Sequence, residues 1–497
     1  MIIEYIIITI YSLSLLLIFM YALSQLNLLF NYITSKRDTP NALDFESLDV
    51  ADAPYITIQL PIYNEMYVVE RLLRNISKID YPKDKLEIQV LDDSTDESIT
   101  FTKDYIEKLQ KTGLDIKHIT RLNRIGFKAG ALKAGLKIAK GEIIAIFDAD
   151  FLPEKNWLKK TVPYFKDESI GVVQTRWAHI NKNYSLLTRV QAFALDAHFT
   201  LEQTGRNIKG HFINFNGTAG LWRKTCIIDA GNWEGDTLTE DLDLSYRAQL
   251  KKWKFKYLED VKTPAELPIV VSAARSQQFR WNKGGAENFR KMFKRVVKSD
   301  AISLKTKAHG VLHLLNSTMF LNVFIVSILS VPMLYIKNEY AHLRPYFYVM
   351  SLFVVSTIIF FICYWFMYKN THGHGIKNFI TYIGMFFAFF SVAMGFSLHN
   401  SIAVLEGHFG KKSEFIRTPK FNLKRYKDNW KKNKYLKKAL STHVFFEGIL
   451  MLYFGFGIYS AFIVGNQGGD FGLLPFHVML FFGFAYIFFG SLLSKID

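Results

Sequence analysis

Hydrophobic positions along the chain fall into three textures. From Ile2 to about Phe30 nearly every residue is apolar, and Lys36 and Arg37 follow the run. That length suffices to cross a bilayer as a helix, and the basic residues after it place its C-terminal end on the cytoplasmic side. A cleaved leader would begin with basic residues and carry a shorter apolar core and a small-residue cleavage site. Glu4 stands near the start instead, so residues 1–35 predict a permanent transmembrane helix.

After a polar connection at Asp38–Val50 the pattern changes to short apolar or β-branched runs alternating with helix-like stretches. The runs are Tyr55–Ile62, Leu86–Leu91, Ile116–Thr120, Glu142–Phe147 and Gly171–Thr175. Between them lie Glu65–Ile79, Ser98–Lys111, Lys128–Lys140 and Asn156–Phe165. Such alternation predicts an α/β domain over residues 36–305, with a largely parallel sheet covered on both faces. Ligands bind such sheets at the carboxyl ends of strands. Tyr63-Asn64-Glu65, Asp92-Asp93 and Asp148-Ala149-Asp150 all fall at strand ends.

From about His309 five further apolar runs follow: Gly310–Tyr335, Tyr346–Phe366, Phe379–Phe396, Val444–Ile463 and Leu473–Leu493. If all five crossed, the segment Gly407–Ser441, with about a dozen Lys and Arg and few acids, would face outside. Basic loops stay cytoplasmic, so one run does not cross. Phe379–Phe396 is short, contains Gly384 and Gly395, and is soon followed by His399, Asn400 and Glu406. It predicts an interfacial helix. Residues 306–497 are thus expected to hold four transmembrane helices, one interfacial helix and a basic cytoplasmic loop.

Composition narrows the chemistry. Half the residues are hydrophobic and 21% are charged, which fits a soluble domain segregated from a membrane part. A net charge of +17 suits nucleic acid, anionic lipid or a phosphorylated substrate; without a zinc or helix-turn-helix pattern, nucleic acid is not expected as a partner. The two cysteines, Cys226 and Cys363, exclude a disulfide framework or a cysteine-rich metal site.

The acids carry the sharpest signal. Asp148 and Asp150 lie on one side of an extended chain after an apolar strand, as a divalent cation holding a diphosphate requires. Asp92-Asp93 suits the base or ribose of a nucleotide, and equally a turn. Lys128 and Arg124 flank Gly126 and suit phosphate charge, and equally a solvated helix start. Thr239-Glu240-Asp241 is ordinary helix initiation; it also offers Asp241 as a base toward an acceptor hydroxyl, its pKa raised by neighbouring acids. In Gln277-Gln278-Phe279-Arg280-Trp281, Gln277 and Arg280 suit a diphosphate and Trp281 a sugar ring, while an interfacial anchor uses the same residues.

Taken in order, D-D-S-T-D, K-A-G-A-L-K (Lys128–Lys133), F-D-A-D-F, F-N-G-T-A-G-L-W-R (Phe215–Arg223), T-E-D and Q-Q-F-R-W resemble a membrane-integrated family 2 glycosyltransferase of the cellulose synthase superfamily. The resemblance runs from about Ile56 to Asn288 and is nearest to the cellulose synthase-like A and C branches, which make β-mannan, glucomannan or β-glucan backbones. It implies a GT-A (Rossmann-like) catalytic domain inserted among transmembrane and interfacial helices. It also implies Mg2+ or Mn2+ as cofactor and stepwise, inverting extension of a glycan. By motif, Tyr63, Glu65, Asp92, Asp93, Lys128, Asp148, Gln277 and Arg280 would bind the nucleotide sugar. Asp150 with Asp148 would hold the metal, Asp241 with Glu240 would be catalytic, and Phe215, Asn216, Gly217 and Trp281 would border the acceptor. Phe415, Thr418 and Lys420 resemble a gating loop of pattern F-x-V-T-x-K, in which Arg417 here replaces Val and Pro419 precedes the Lys.

The expectation is a hexosyltransferase that polymerises a β-linked glucan or mannan from UDP-glucose or GDP-mannose on the cytoplasmic face and moves it across the membrane. The membrane would be the plasma (inner) membrane, or the Golgi membrane in a eukaryote. The alternative is transfer of one sugar to a membrane lipid, as ceramide glucosyltransferase-like proteins do. A transporter or scaffold with a degenerate domain is disfavoured by the intact acids.

Overall fold

In a computed structural model the described residues are 2–35, 53–413, 415–422, 433–436, 442–465 and 468–493. The expected polar connection at Asp38–Val50 and most of the basic stretch Lys424–Lys438 lie outside them. The first part comprises α1 (Ile2–Ser35), β1 (Ile56–Ile62), α2 (Val69–Ile76), β2 (Leu86–Asp92), α3 (Ser98–Gln110), β3 (Asp115–Thr120), α4 (Phe127–Ile138), β4 (Ile143–Ile146) and α5 (Trp157–Thr161). It continues with β5 (Ile170–His179), α6 (Leu186–Ala197), a π-helical turn (His198–Gln203), α7 (Thr204–Asn207), β6 (Gly220–Arg223), α8 (Lys224–Asp229), α9 (Glu240–Leu250) and β7 (Lys254–Ala265).

The continuous apolar run Ile143–Phe147 is buried on both sides because successive side chains enter different cores. Ile143, Ala145 and Phe147 join one cluster with Ile58, Leu60 and Trp157; Ile144 and Ile146 join another with Leu132, Phe215 and Trp222. The seven strands are ordered β3-β2-β1-β4-β6-β5-β7. Pairing is parallel from β3 to β4 and again between β5 and β7, but β6 enters antiparallel between β4 and β5. The sheet is thus largely parallel, as expected, with β6 as its one antiparallel strand. Registers Ile62↔Asp92 and Gln59↔Ile146 bring the ends of β1, β2 and β4 to one edge. The strand order reverses between β1 and β4, the place where such sheets bind ligands outside the strand ends.

The remainder is helical: α10 (Val271–Lys298), α11 (Leu304–Leu314), α12 (Thr318–Glu339), α13 (Arg344–Ser351), α14 (Val354–His372), α15 (Ile376–Gly395), α16 (Ser397–Phe409), α17 (His443–Ile463) and α18 (Leu474–Leu493). Among the described residues six stretches are long and apolar enough to cross a membrane: Ile2–Thr34, Thr318–Glu339, Ala341–His372, Ile376–Gly395, His443–Ile463 and Leu474–Leu493. Contacts fix their directions. Tyr340, just after α12, meets Glu4 at the start of α1, and His309 of α11, before α12, meets Asn27 near the end of α1, so the chain through α11 and α12 runs antiparallel to α1. Phe353 meets Phe19 and Asn370 meets Tyr32, so α14 returns parallel to α1. α15 packs on α6 near both its ends: Tyr382 and Phe386 join Phe193 and Ala197, while Val392 and Phe396 join Leu187 and Val190. The two parts of the molecule are clamped at α10, where Arg275 Nη2 donates to both Glu447 oxygens (2.7 and 2.9 Å) and to Ser491 Oγ (2.9 Å). All three residues are buried.

Candidate active site

The strand ends and the first turns of α9 and α10 enclose a cavity of about 200 Å3. Its acids arrive from separate elements. Asp148 and Asp150 follow β4; the Asp148 backbone N–H donates to Thr218 Oγ1 (2.9 Å), which sets the turn. Lys128, in the first turn of α4, donates to Asp148 Oδ1 (2.5 Å) and to the Gly217 carbonyl (2.9 Å). Glu240 and Asp241 occupy the first turn of α9, and the Leu242 N–H donates to Asp241 Oδ1 (2.9 Å). An ideal Cβ on Gly217 would lie 3.0 Å from Asp241 Oδ2 and 3.4 Å from Lys128 Nζ. Asp241 and Lys128 thus converge on one point above a residue that has no side chain.

The start of α9 is held by α10. Asn288 Nδ2 donates to Thr239 O (3.1 Å) and Thr239 Oγ1 (2.9 Å), and Glu287 accepts from the Leu238 N–H (2.8 Å). Gly284 permits this approach, since a Cβ there would meet Thr239 Oγ1 at 2.5 Å. Gln277, Arg280 and Trp281 then face the same cavity from the preceding turns.

Burial, with Glu240 alongside, pushes the Asp241 carboxyl up to about 7. Burial also raises Glu240. Around Lys128 burial works downward, but the charges of Asp148, Glu240 and Asp241 outweigh it and hold the ammonium above its usual range. A carboxyl poised near neutrality suits proton transfer from a hydroxyl.

Residues 415–422 descend into the cavity. Lys420 Nζ lies 2.7 Å from Asp150 Oδ2, while Asp150 Oδ1 is buried with no hydrogen-bond partner. Arg417 forms a two-pronged pair with Glu65 (3.0 and 2.5 Å). Arg280 Nη2 donates to Thr418 Oγ1 (2.8 Å) and lies over the Phe415 ring, 4.8 Å from its centroid. Phe415 in turn stacks on Phe127. Glu266, at the end of β7, accepts from the N–H groups of Phe421 (2.7 Å) and Asn422 (3.0 Å). The orphaned Asp150 oxygen, and a lysine ammonium on its sister atom, mark a place built for a cation; Asp148 and Asp150 fit a divalent metal there.

Of the residues expected from sequence, the cavity brings together Tyr63, Glu65, Asp93, Lys128, Asp148, Asp150, Asn216, Gly217, Glu240, Asp241, Gln277, Arg280, Trp281, Phe415, Thr418 and Lys420. Two lie elsewhere. Asp92 is buried beneath the edge, where it accepts from the Ser94 N–H (2.9 Å) and pairs with His118 Nε2 (2.9 Å). Phe215 is fully buried against Trp222 and Trp233, and only its backbone neighbours reach the cavity. Asp93 does face the cavity, with its Oδ1 taken by Arg121 Nε (2.9 Å). Glu266 and Phe127 also line the cavity without a sequence signal: Glu266 directly follows β7, a strand with no clear alternation, and Phe127 follows a glycine in a left-handed turn. A separate carboxylate group, Glu234, Asp236 and Asp243, holds Lys291 Nζ at 2.7, 2.8 and 2.9 Å, so its cation is a side chain.

Toward the apolar helices a second chamber of about 250 Å3 shares Leu195, Gln277 and Trp281 with the first. Asn400 lines it, 1% exposed and with neither amide atom hydrogen-bonded.

Residues 53–284 match the family described as glycosyltransferase like family 2. The chain is 45% identical over 262 residues to "Probable glucomannan 4-beta-mannosyltransferase 7" of Oryza sativa subsp. japonica, covering 51% of this chain and 44% of that protein. It is 40% identical over 271 residues to "Glucomannan 4-beta-mannosyltransferase 2" of Arabidopsis thaliana, covering 54% and 51%. The chain thus spans about half the length of these curated relatives. A mannosyltransferase from Pyrobaculum calidifontis, solved in complex with GDP-Man and Mn2+, superimposes with a TM-score of 0.52 at 18% identity, covering 80% of this chain and 100% of that one. The α/β part has the same GT-A fold.

Proposed function

We propose that this chain, whose residues 53–284 form a glycosyltransferase family 2 domain, is an inverting, processive β-mannosyltransferase that extends a β-linked mannan or glucomannan from GDP-mannose. The observation that carries the reading is Asp241, a partly buried carboxyl held near neutral pKa opposite Asp148 and Asp150 across one cavity. The names of the relatives support mannose over glucose as the transferred sugar.

In this mechanism the acceptor sugar stacks on Trp281 and turns a hydroxyl toward Asp241. The carboxylate takes the hydroxyl proton as the oxygen forms a bond to the anomeric carbon of the donor. The bond from that carbon to the diphosphate breaks with inversion, and the nucleoside diphosphate leaves. Arg280 and Lys128 supply positive charge toward the leaving diphosphate. Mg2+ or Mn2+ held by Asp148 and Asp150 would neutralise phosphate charge. Lys420 and Arg417 pair with Asp150 and Glu65, so a metal and donor at these acids would compete with the loop 415–422 for them.

The second chamber continues the acceptor path toward the apolar helices. The unpaired amide of Asn400 supports a hydroxyl-rich occupant there. In this reading the catalytic domain faces the cytoplasm and α15 lies along the interface, which its packing on α6 near both ends supports. A cysteine placed at the exposed Lys411 should be labelled from the cytoplasmic side alone; labelling from the other side sinks the topology. The function is tested by giving lipid-reconstituted protein labelled GDP-mannose, UDP-glucose and other sugar nucleotides with Mn2+. The product should be a polymer cut by β-mannan-specific glycosidases, and a solvent-soluble glycolipid would refute the polymer reading.

A further inference from the structure

Beneath the acceptor wall runs a chain of hydrogen bonds that ends on α1. Asn216 faces the catalytic cavity, and its amide is held from both sides: Gln203 Nε2 donates to Oδ1 (2.8 Å), and Nδ2 lies 3.2 Å from His198 Nε2. His198 Nδ1 lies 2.9 Å from Glu202 Oε2. Glu202 is buried and also accepts from Arg206 Nη2 (3.2 Å), and from Tyr21 Oη (3.1 Å) and Gln25 Nε2 (2.9 Å) of α1. The whole arrangement is built on the π-helical turn His198–Gln203, a geometry that recurs at functional sites.

The chemistry of the partners decides the ring's proton. A carboxylate crowded by donors can only accept, so Nδ1 of His198 carries the hydrogen and donates it to Glu202. In the neutral ring Nε2 is then an acceptor, matched to the Asn216 amide N–H. Asn216 is left with one N–H and one lone pair for a ligand, in a fixed orientation.

We infer that His198 is a positioning residue for the acceptor: it orients the Asn216 amide toward a sugar hydroxyl and ties that orientation to α1 through Glu202. The inference rests on the acceptor reading above and names a residue that the motif resemblance does not. His198 itself faces the second chamber, so the bridge joins the walls of both chambers.

The test uses the full chain in lipid nanodiscs. Binding of a β-linked manno-oligosaccharide is followed by tryptophan fluorescence without donor, and GDP-mannose hydrolysis by water is measured separately. His198→Ala should weaken oligosaccharide binding about tenfold, the scale of one oriented hydrogen bond, with donor hydrolysis kept within twofold. His198→Gln, whose amide offers an acceptor and a donor, should restore most of the binding. The double variant with Asn216→Ala should be no weaker than Asn216→Ala alone. Oligosaccharide binding unchanged by His198→Ala overturns the inference and leaves the proposed reaction standing. Parallel loss of donor hydrolysis and oligosaccharide binding, unrescued by Gln, reduces His198 to a structural residue and overturns it too. A wild type that binds no oligosaccharide overturns both the inference and the glycan-acceptor reading.

Discussion

Gly217 is where a single methyl group tests the assignment of the base. Its φ of +77° lies in the left-handed region, where an alanine costs about 1–2 kcal/mol. An added Cβ would sit 3.0 Å from Asp241 Oδ2, 3.6 Å from Asp241 Cγ and 3.4 Å from Lys128 Nζ. The first contact is too short for carbon against oxygen, so the carboxylate must retreat by a few tenths of an ångström from the point where it meets Lys128. Misplacement of a catalytic group by about 1 Å costs about a hundredfold, so a shift of a few tenths of an ångström predicts a loss of kcat of about 4- to 10-fold. Donor KM should stay within about threefold, because the new methyl does not touch Asp148 or Asp150, the carboxylates proposed to hold the metal. Initial rates of labelled sugar transfer give kcat and KM, and thermal unfolding in the same detergent gives the backbone cost. A Gly217→Ala protein that loses the expected stability yet keeps wild-type kcat would refute the placement of Asp241 at the reacting hydroxyl.

Other variants probe the remaining groups. Asp241→Asn should lower transfer by about 10²–10⁴-fold. In the wild type the rate should rise with pH through about 7 as Asp241 loses its proton, a limb absent from the residual Asn activity. Because the folded state binds that proton more tightly than the unfolded chain, the same group favours folding at low pH. That contribution is lost as pH rises from the ordinary aspartate range through about 7, and thermal unfolding across this window checks the sign. Lys420→Met removes the ammonium from Asp150, so Mn2+ binding measured by paramagnetic resonance without donor should tighten several-fold; unchanged affinity would show that lysine and metal do not compete. Arg275→Met leaves Glu447 buried without its cation and should cost about 3–5 kcal/mol of stability, much of it recovered on adding Glu447→Leu.

Particular residues show how far the sequence could be read. The places of Asp148, Asp150 and Asp241 at the cavity were legible because they are set locally: an apolar strand fixes where two alternate carboxylates point, and a threonine fixes where a helix begins. The pentad Gln277–Trp281 was legible for the same reason, since one turn of helix sets which of its residues share a face. Asp92 and Phe215 belong to the same motifs, yet both turn inward. Their fate depended on His118 of β3 and on how the chain folds Phe215 back between Trp222 and Trp233, which motif order alone does not show. β6 was invisible as a strand because its four residues acquire their pairing only after β4 and β5 flank them.

The segregation into apolar-helical and α/β parts, the strand-end acids and the order of the motifs follow from the residues alone, because hydropathy and backbone periodicity are properties of short windows. It took packing to place Lys420 on Asp150 and Arg417 on Glu65, to let α10 hold the start of α9 at Gly284, and to link α1 to Asn216 through His198. These contacts join residues far apart in the chain. They exist because packing brings together charges and hydrogen-bonding groups that would be costly to bury alone.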